Sequence, residues 1–289
     1  MRIALAQIKL TSSLERNATE VLETLDLAQR SGVDIVLFPE CVLTGYLGFE
    51  RMALDDLDPA MVHDAIIRIQ QQCAQRSIGA VIGQYFKRCG RWYNNAVAIG
   101  RHGELLASYD KLQLVDRDCY EVAPGDHPAV FDFDGARCSM AICHDIRYPE
   151  VLRQYGNAGV QVHFHLFYGG RSPGAQAEHY HAQYDSHLVT RAVENGFFLI
   201  ATNAAMNEQM VRSQARDREG RRLRVAEGPG VELLVVDVDP VEGGDGWGAK
   251  RRNDLFPDAP SHTPRSYFER GVWEHKGYMI RHDKNLSTE

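Results

Sequence analysis

Short apolar runs of strand length recur along the chain, some separated by helical stretches and others only by tight turns, and this order leaves few folds open. Residues 2–8 alternate in polarity and predict a first strand. Ser12 or Ser13 can cap a helix over 14–30, with Glu15 in its first turn and Leu22, Leu25 and Ala28 on one side. Ser31-Gly32 stops that helix, and Val33 to Phe38 reads as a buried strand. A helix over 57–76 precedes strands over 78–86, 92–100 and 104–109, with turns at Gly90 and Gly103. Strands 128–133 and 136–143 meet at Asp134-Gly135, a hairpin signal. Pro149 opens a short helix to Tyr155, a strand returns over 159–166, and a helix over 175–195 runs into a strand over 196–203. Strands over 211–217 and 231–238 flank an arginine-rich turn. The hairpins exclude a pure Rossmann layout and predict sheets with helices packed outside, in a single domain over 1–289. Within it, residues from about 240 to 289 form an extended tail with aromatic anchors at Phe256, Tyr267, Trp273 and Tyr278.

Composition removes several classes of partner. The formal net charge of −7 over 289 residues makes duplex nucleic acid and anionic membrane poor candidates. The basic run Arg216, Arg218, Arg221, Arg222 and Arg224 reads as a solvated hairpin. No stretch approaches the ~18 consecutive apolar residues of a membrane helix. The apolar part of the N-terminus is too short for a signal peptide, so a cytoplasmic location is expected. Six cysteines without a CxxC pair read as free thiols, which makes a reactive thiolate possible. No GxGxxG follows the first strand and no GxxxxGK[ST] occurs, so neither a dinucleotide nor a simple phosphate site has support.

Three short segments can carry chemistry. In Phe38-Pro39-Glu40 a carboxylate stands at the carboxyl end of a buried strand, where burial would raise its pKa and prepare a general base. Taken alone, Glu40 reads as well as a loop or capping carboxylate. In Tyr109-Asp110-Lys111 a lysine ends a strand; alone it is a surface charge, and its functional reading needs a developing negative charge nearby. In Met140-Ala141-Ile142-Cys143-His144-Asp145-Ile146-Arg147-Tyr148-Pro149-Glu150 an apolar strand runs into a thiol on a tight turn before a helix. A cation beside that thiol could lower its pKa by a unit or more. Cys41, Cys73, Cys89 and Cys138 read as small apolar residues.

Taken together, the three segments resemble the nitrilase (carbon–nitrogen hydrolase) superfamily, whose members carry a catalytic Glu, Lys and Cys in this chain order. Leu43-Thr44-Gly45-Tyr46, then Arg191-Ala192-Val193-Glu194-Asn195 and Ala201-Thr202-Asn203, extend the likeness over roughly residues 2–240. The resemblance implies an α/β fold, a four-layer α-β-β-α sandwich, and thiol-dependent hydrolysis of a small amide without metal or organic cofactor. Glu40 would be the base, Cys143 the nucleophile that becomes a thioester, and Lys111 the cation at the oxyanion, with the backbone N–H of His144 as second donor. Ammonia or an amine would leave. An N-carbamoyl compound or a nitrile could serve the same three residues, and acyl transfer to another acceptor stays open.

The resemblance also implies a second carboxylate beside Lys111. Glu121, ahead of Pro124-Gly125, is the nearest match, and Asp118 is the alternative in another register. The chain departs from the family in Val162-His163-Phe164-His165-Leu166-Phe167-Tyr168-Gly169-Gly170-Arg171, where alternation puts His163, His165 and Phe167 on one face. Tyr46, His165, Phe167 and Arg171 are the expected substrate contacts, with Arg171 able to clasp a carboxylate. A homodimer or larger homo-oligomer is implied as well, with the tail reaching across the partner. Two other classes compete. A metal hydrolase could use His163, His165, His179 and His181, although His179 and His181 on a helix point about 200° apart. A catalytically silent binding protein on the same fold is the other.

Overall fold

The computed structural model describes residues 1–115, 117–170 and 175–241, together with the backbone of 272–275 and 278–281. Strand β1 (Arg2–Gln7) is buried from Ile3 onward because it lies inside a sheet that is covered on both faces. Helix α1 (Leu14–Arg30) starts where Ser13, in extended backbone, accepts the Arg16 N–H on its hydroxyl. Its buried stripe is Leu14, Ala18, Val21, Leu25 and Ala28, with Leu22 half-buried at the margin. Strand β2 (Ile35–Leu37) follows, then helix α2 (Pro59–Arg76), capped by Asp58 with Pro59 at its first position. The long hairpin β3 (Gly79–Arg88) and β4 (Arg91–Ile99) continues into β5 (Leu105–Asp110).

A single helical turn α3 (Asp118–Glu121) leads to the hairpin β6 (Ala129–Phe133) and β7 (Ala136–Ile142). A 3₁₀ turn (Cys143–Arg147) joins β7 to helix α4 (Pro149–Asn157), and β8 (Val162–Leu166), α5 (Ala175–Asn195) and β9 (Phe198–Thr202) follow. The described core closes with β10 (Gln214–Arg216), β11 (Arg222–Val225) and β12 (Glu232–Asp237). These make two mixed six-stranded sheets, ordered β12-β1-β2-β3-β4-β5 and β11-β10-β9-β8-β7-β6. Helices α1 and α2 cover the first sheet, α4 and α5 the second, and the sheets face one another, which is the expected four-layer α-β-β-α sandwich.

Three details differ from the sequence expectation. Strands 211–217 and 231–238 are not partners: β12 pairs antiparallel with β1 in the other sheet, while β10 pairs with β11, which lies inside the arginine run. That run forms a hairpin, but Arg216 is buried and pairs with Asp185 of α5, which also takes Arg222 at 2.8 Å. The turn α3 was not expected at all. The tail from 242 lies outside the described residues, except for the backbone of an antiparallel pair, Val272–His275 with Tyr278–Arg281. Among the described residues no helix is long and apolar enough to cross a membrane.

Candidate active site

The parallel strands of both sheets deliver their carboxyl ends to one place, the position where open α/β sheets put ligands. Glu40 leaves the end of β2 and is fully buried. Its backbone fits against β3 because Gly83 lacks a side chain: a Cβ there would stand 2.8 Å from the Glu40 Cα and 2.6 Å from the Cys41 nitrogen. The next residue, Cys41, takes a left-handed φ of +53°, which turns the chain sharply after the carboxylate.

Three groups hold that carboxylate and a fourth contact holds its backbone, and they come from both sheets. Lys111 Nζ lies 2.7 Å from Glu40 Oε1, and Asn94 Nδ2 donates to the same oxygen at 2.8 Å. Tyr168 N–H donates to Oε2 at 2.9 Å, and the Glu40 N–H reaches the Phe167 carbonyl at 3.2 Å. Lys111 also meets Asp118 Oδ2 at 3.3 Å, Asn94 donates to Asp118 Oδ2 at 2.8 Å, and Tyr85 OH donates to Asp118 Oδ1 at 2.7 Å. Gly125 lets the following loop cross behind the lysine, since a Cβ there would stand 2.1 Å from the Asp110 carbonyl oxygen. The second carboxylate is therefore Asp118 and not Glu121. The single turn of α3 points Asp118 inward and leaves Glu121 at the surface, bonded to Arg117 at 3.0 Å.

Cys143 stands where β7 ends, with φ of +47°, a conformation that a non-glycine residue keeps only under external constraint. Asp145 supplies part of that constraint. It accepts from Tyr109 OH at 2.7 Å, from the Ile142 N–H at 3.0 Å and from the Gln113 N–H at 2.8 Å, so it ties the Cys143 turn to β5 and to the segment after Lys111. Arg191 of α5 adds a bond from Nε to the Ile146 carbonyl at 3.1 Å. Burial pushes the Asp145 carboxyl up to about 6, against an unfolded aspartate near 3.9. The proton-linked part of its stability is thus greatest below its unfolded value and is lost as pH rises through about 6, while the three accepted hydrogen bonds persist. Asp145→Asn turns an amide NH₂ toward backbone N–H donors and is expected to cost about 2–3 kcal/mol in urea unfolding at pH 7. An unchanged unfolding midpoint would remove this role from Asp145.

Electrostatics at the three central residues oppose one another. Burial raises Glu40 above its ordinary value, with Lys111 pulling the other way. Burial is the largest single influence and would lower Lys111, but the acidic groups around it, Glu40 foremost and Asp118 among them, together outweigh burial and hold the ammonium well above the ordinary lysine value. Burial and then the Glu40 carboxylate push the Cys143 thiol up, and Lys111 only partly offsets them. The sequence suggested that a cation beside the thiol could lower its pKa; the net shift runs the other way, and the thiol lies beside a carboxylate. Cys143 keeps 6% exposure, whereas Glu40 and Lys111 keep none.

The remaining expected contacts fall differently. Tyr46 lines the site: its ring stacks on Tyr168 at 4.4 Å between centroids and lies 5.8 Å from Lys111 Nζ. His144 lies on the turn, with Nε2 3.3 Å from the Tyr148 hydroxyl. Phe167 is buried, its ring between His165 and Tyr184. His165 is not available to a substrate, because it is fully buried with both ring nitrogens engaged. Arg171 lies outside the described residues. His179 and His181 sit on α5 while His163 and His165 bond to one another on β8; among the described residues no three His, Cys, Asp or Glu side chains converge to hold a metal ion. Asn94 was missed, although two consecutive asparagines in the middle of an apolar strand are unfavourable there without a partner and mark the place.

The model of the carbon–nitrogen hydrolase family matches residues 2–245. The omega-amidase NIT2 of Bos taurus is 28% identical over 217 residues, 72% of this chain and 76% of that protein. The 2-oxoglutaramate amidase of Bacillus subtilis (strain 168) is 28% identical over 174 residues, 59% and 63% of the two chains. Among solved structures, the NitN amidase from Nesterenkonia AN1 superposes with a TM-score of 0.75 at 25% identity, covering 89% of this chain and 98% of that one. A cysteine-to-alanine mutant of a Nesterenkonia AN1 amidase of the nitrilase superfamily gives 0.76 at 25% identity, with 89% and 96% covered.

Proposed function

The chain belongs to the carbon–nitrogen hydrolase family, and on that premise we propose that it hydrolyses a small linear amide with Cys143 as nucleophile, Glu40 as base and Lys111 as oxyanion cation. The observation that carries this reading is the buried contact of 2.7 Å between Lys111 Nζ and Glu40 Oε1 beside a protonated thiol. Glu40 takes the Cys143 proton as the sulfur attacks the carbonyl carbon. The carbonyl oxygen becomes an oxyanion between the Lys111 ammonium and the His144 N–H, and one such preorganised donor is typically worth about 3 kcal/mol of barrier. Glu40 then gives its proton to the departing nitrogen, the C–N bond breaks, ammonia leaves and a thioester remains on Cys143. Water attacks the thioester while Glu40 takes its proton; the C–S bond breaks and the sulfur regains the proton as the acid departs.

An amide is favoured over a ureido acid or a nitrile because the named relatives, omega-amidase and 2-oxoglutaramate amidase, are amidases. A panel of linear amides, ureido acids and nitriles assayed for ammonia release tests the choice. The amides are expected to lead in kcat/KM by at least about tenfold. A nitrile or ureido acid at the head of the panel would transfer the same chemistry to that substrate class. Because Glu40 is raised, the acid limb of kcat/KM is expected above the ordinary glutamate value of about 4.3, activity falling as pH drops and the base takes up a proton. A limb at or below that value would remove Glu40 as the base.

A further inference from the structure

Behind the nucleophile runs a chain of polar groups that the mechanism above does not use. Ser139 of β7 and His163 and His165 of β8 are all fully buried. Ser139 Oγ lies 2.8 Å from His163 Nδ1, His163 Nε2 lies 3.1 Å from His165 Nδ1, and His165 Nε2 lies 3.0 Å from the Cys143 carbonyl oxygen. Tyr155 of α4, Phe197 and Phe167 pack around the two imidazoles.

The direction of every proton in this chain follows from its end. A carbonyl oxygen only accepts, so His165 Nε2 carries the hydrogen. Burial keeps both rings neutral, His165 down to about 3 and His163 well below its ordinary value. His165 Nδ1 is therefore a bare acceptor, His163 Nε2 must donate to it, and His163 Nδ1 must in turn accept from the Ser139 hydroxyl. All three bonds run toward Cys143.

The carbonyl they reach belongs to the same peptide plane as the His144 N–H. No peptide among the described residues is cis, so that plane is trans and its C=O and N–H point in opposite directions. We propose that Ser139, His163 and His165 form a one-way hydrogen-bond relay that pins the Cys143–His144 peptide and thereby aims the His144 N–H at the oxyanion. The relay rests on the reading above that this N–H is an oxyanion donor. It also accounts for how Cys143 holds φ of +47°: a donor fixed in the second sheet grips the carbonyl, while Asp145 grips the Ile142 N–H on the other side. Bonds aligned in one direction polarise each other, which makes the peptide N–H a better donor. The three are positioning residues, since none touches the reacting atoms.

The test compares His165→Gln with His165→Asn. A glutamine amide reaches the place of Nε2, donates to the Cys143 carbonyl and accepts from His163; an asparagine amide ends near Nδ1 and keeps only the His163 bond. His165→Asn is expected to lose about tenfold to a hundredfold in kcat for a linear amide, with KM within about threefold. His165→Gln is expected to stay within about threefold of the parent in both constants. Alkylation of Cys143 by iodoacetamide, followed on the Cys143 peptide by mass spectrometry, builds no oxyanion and should hold its rate within about threefold in both variants. Equal kcat in the two variants, or a kcat loss matched by the same loss of alkylation, overturns the relay. Ring ¹⁵N shifts of the unaltered protein test it without a variant: both imidazoles must be protonated at Nε2 and bare at Nδ1, and a proton on Nδ1 of either ring overturns it. Failure of the function reading looks different, since then Cys143→Ala would still hydrolyse amides.

Discussion

Cys143→Ala is expected to lower amide hydrolysis by at least about 10³-fold while leaving the fold intact. Alanine keeps the Cβ and thus the same left-handed backbone requirement, so the turn feels no new strain. Only the sulfur is lost, and a cavity of one atom in a packed site costs about 1 kcal/mol. Thermal unfolding should therefore move by a few degrees at most, whereas turnover should vanish, because the thioester cannot form without the sulfur. Glu40, Lys111 and the peptide donors remain in the variant, and substrate binding should survive as a measurable Kd. The parent incubated with a slow amide should carry an acyl mass on the peptide containing Cys143 and on no other cysteine peptide. Cys89, the exposed thiol of the six, is the internal control for non-specific modification. Retention of more than about 1% of the parent rate by the alanine variant would remove Cys143 from the mechanism.

The parts of this molecule that could be read from the sequence are those decided locally. Helix α1 was legible to the residue because its start and stop are written beside it, in Ser13 and in Ser31-Gly32. Glu40, Lys111 and Cys143 became candidates through the order and spacing of their three segments taken together, since each alone, just past the end of a strand, reads as an ordinary residue. Pairing between distant strands was not legible. Nothing local distinguishes β12 from a hairpin partner of β10, and its antiparallel pairing with β1 joins residues more than two hundred positions apart. Asn94 was hidden, since its partners Glu40 and Asp118 lie outside its strand, and Asp118 was one of two carboxylates that the sequence could not separate. His165 was misread for a related reason. Alternation in β8 put it correctly on one face with His163 and Phe167, but it could not say that this face meets α4 and α5 instead of a substrate. The same limit applies to the thiol: a nearby cation was foreseeable, whereas the burial that outweighs it is a property of the assembled sheets.

Lys111→Met should be the most destabilising single change in the site. The parent holds two carboxylates, Glu40 and Asp118, around one ammonium, with all three side chains 0–1% exposed. Methionine matches the lysine stem but removes the one cation that pairs with either acid among the described residues, so two buried negative charges face each other across Asn94. Removing one partner from such a pair costs about 3–5 kcal/mol, far more than the lost packing of one nitrogen. The loss should show as a lower urea midpoint at pH 7, and amide turnover should fall with it because the oxyanion loses its cation. The pH dependence has a definite sign. Without the lysine, the folded-state pKa of Glu40, already raised by burial, loses its main opposing charge and rises further, so the fold is least disfavoured below the unfolded value and loses stability as pH climbs through the raised pKa. The deficit against the parent should therefore shrink on acidification. Adding Asp118→Asn removes one of the two charges while the amide still accepts from Tyr85, and Lys111→Met/Asp118→Asn should recover at least about 1 kcal/mol over Lys111→Met alone. Activity should not return with it, since stability depends on charge balance but catalysis depends on the ammonium itself. A double variant no more stable than Lys111→Met, or a single variant as stable as the parent at pH 7, would mean that the buried ion cluster does not hold this site together.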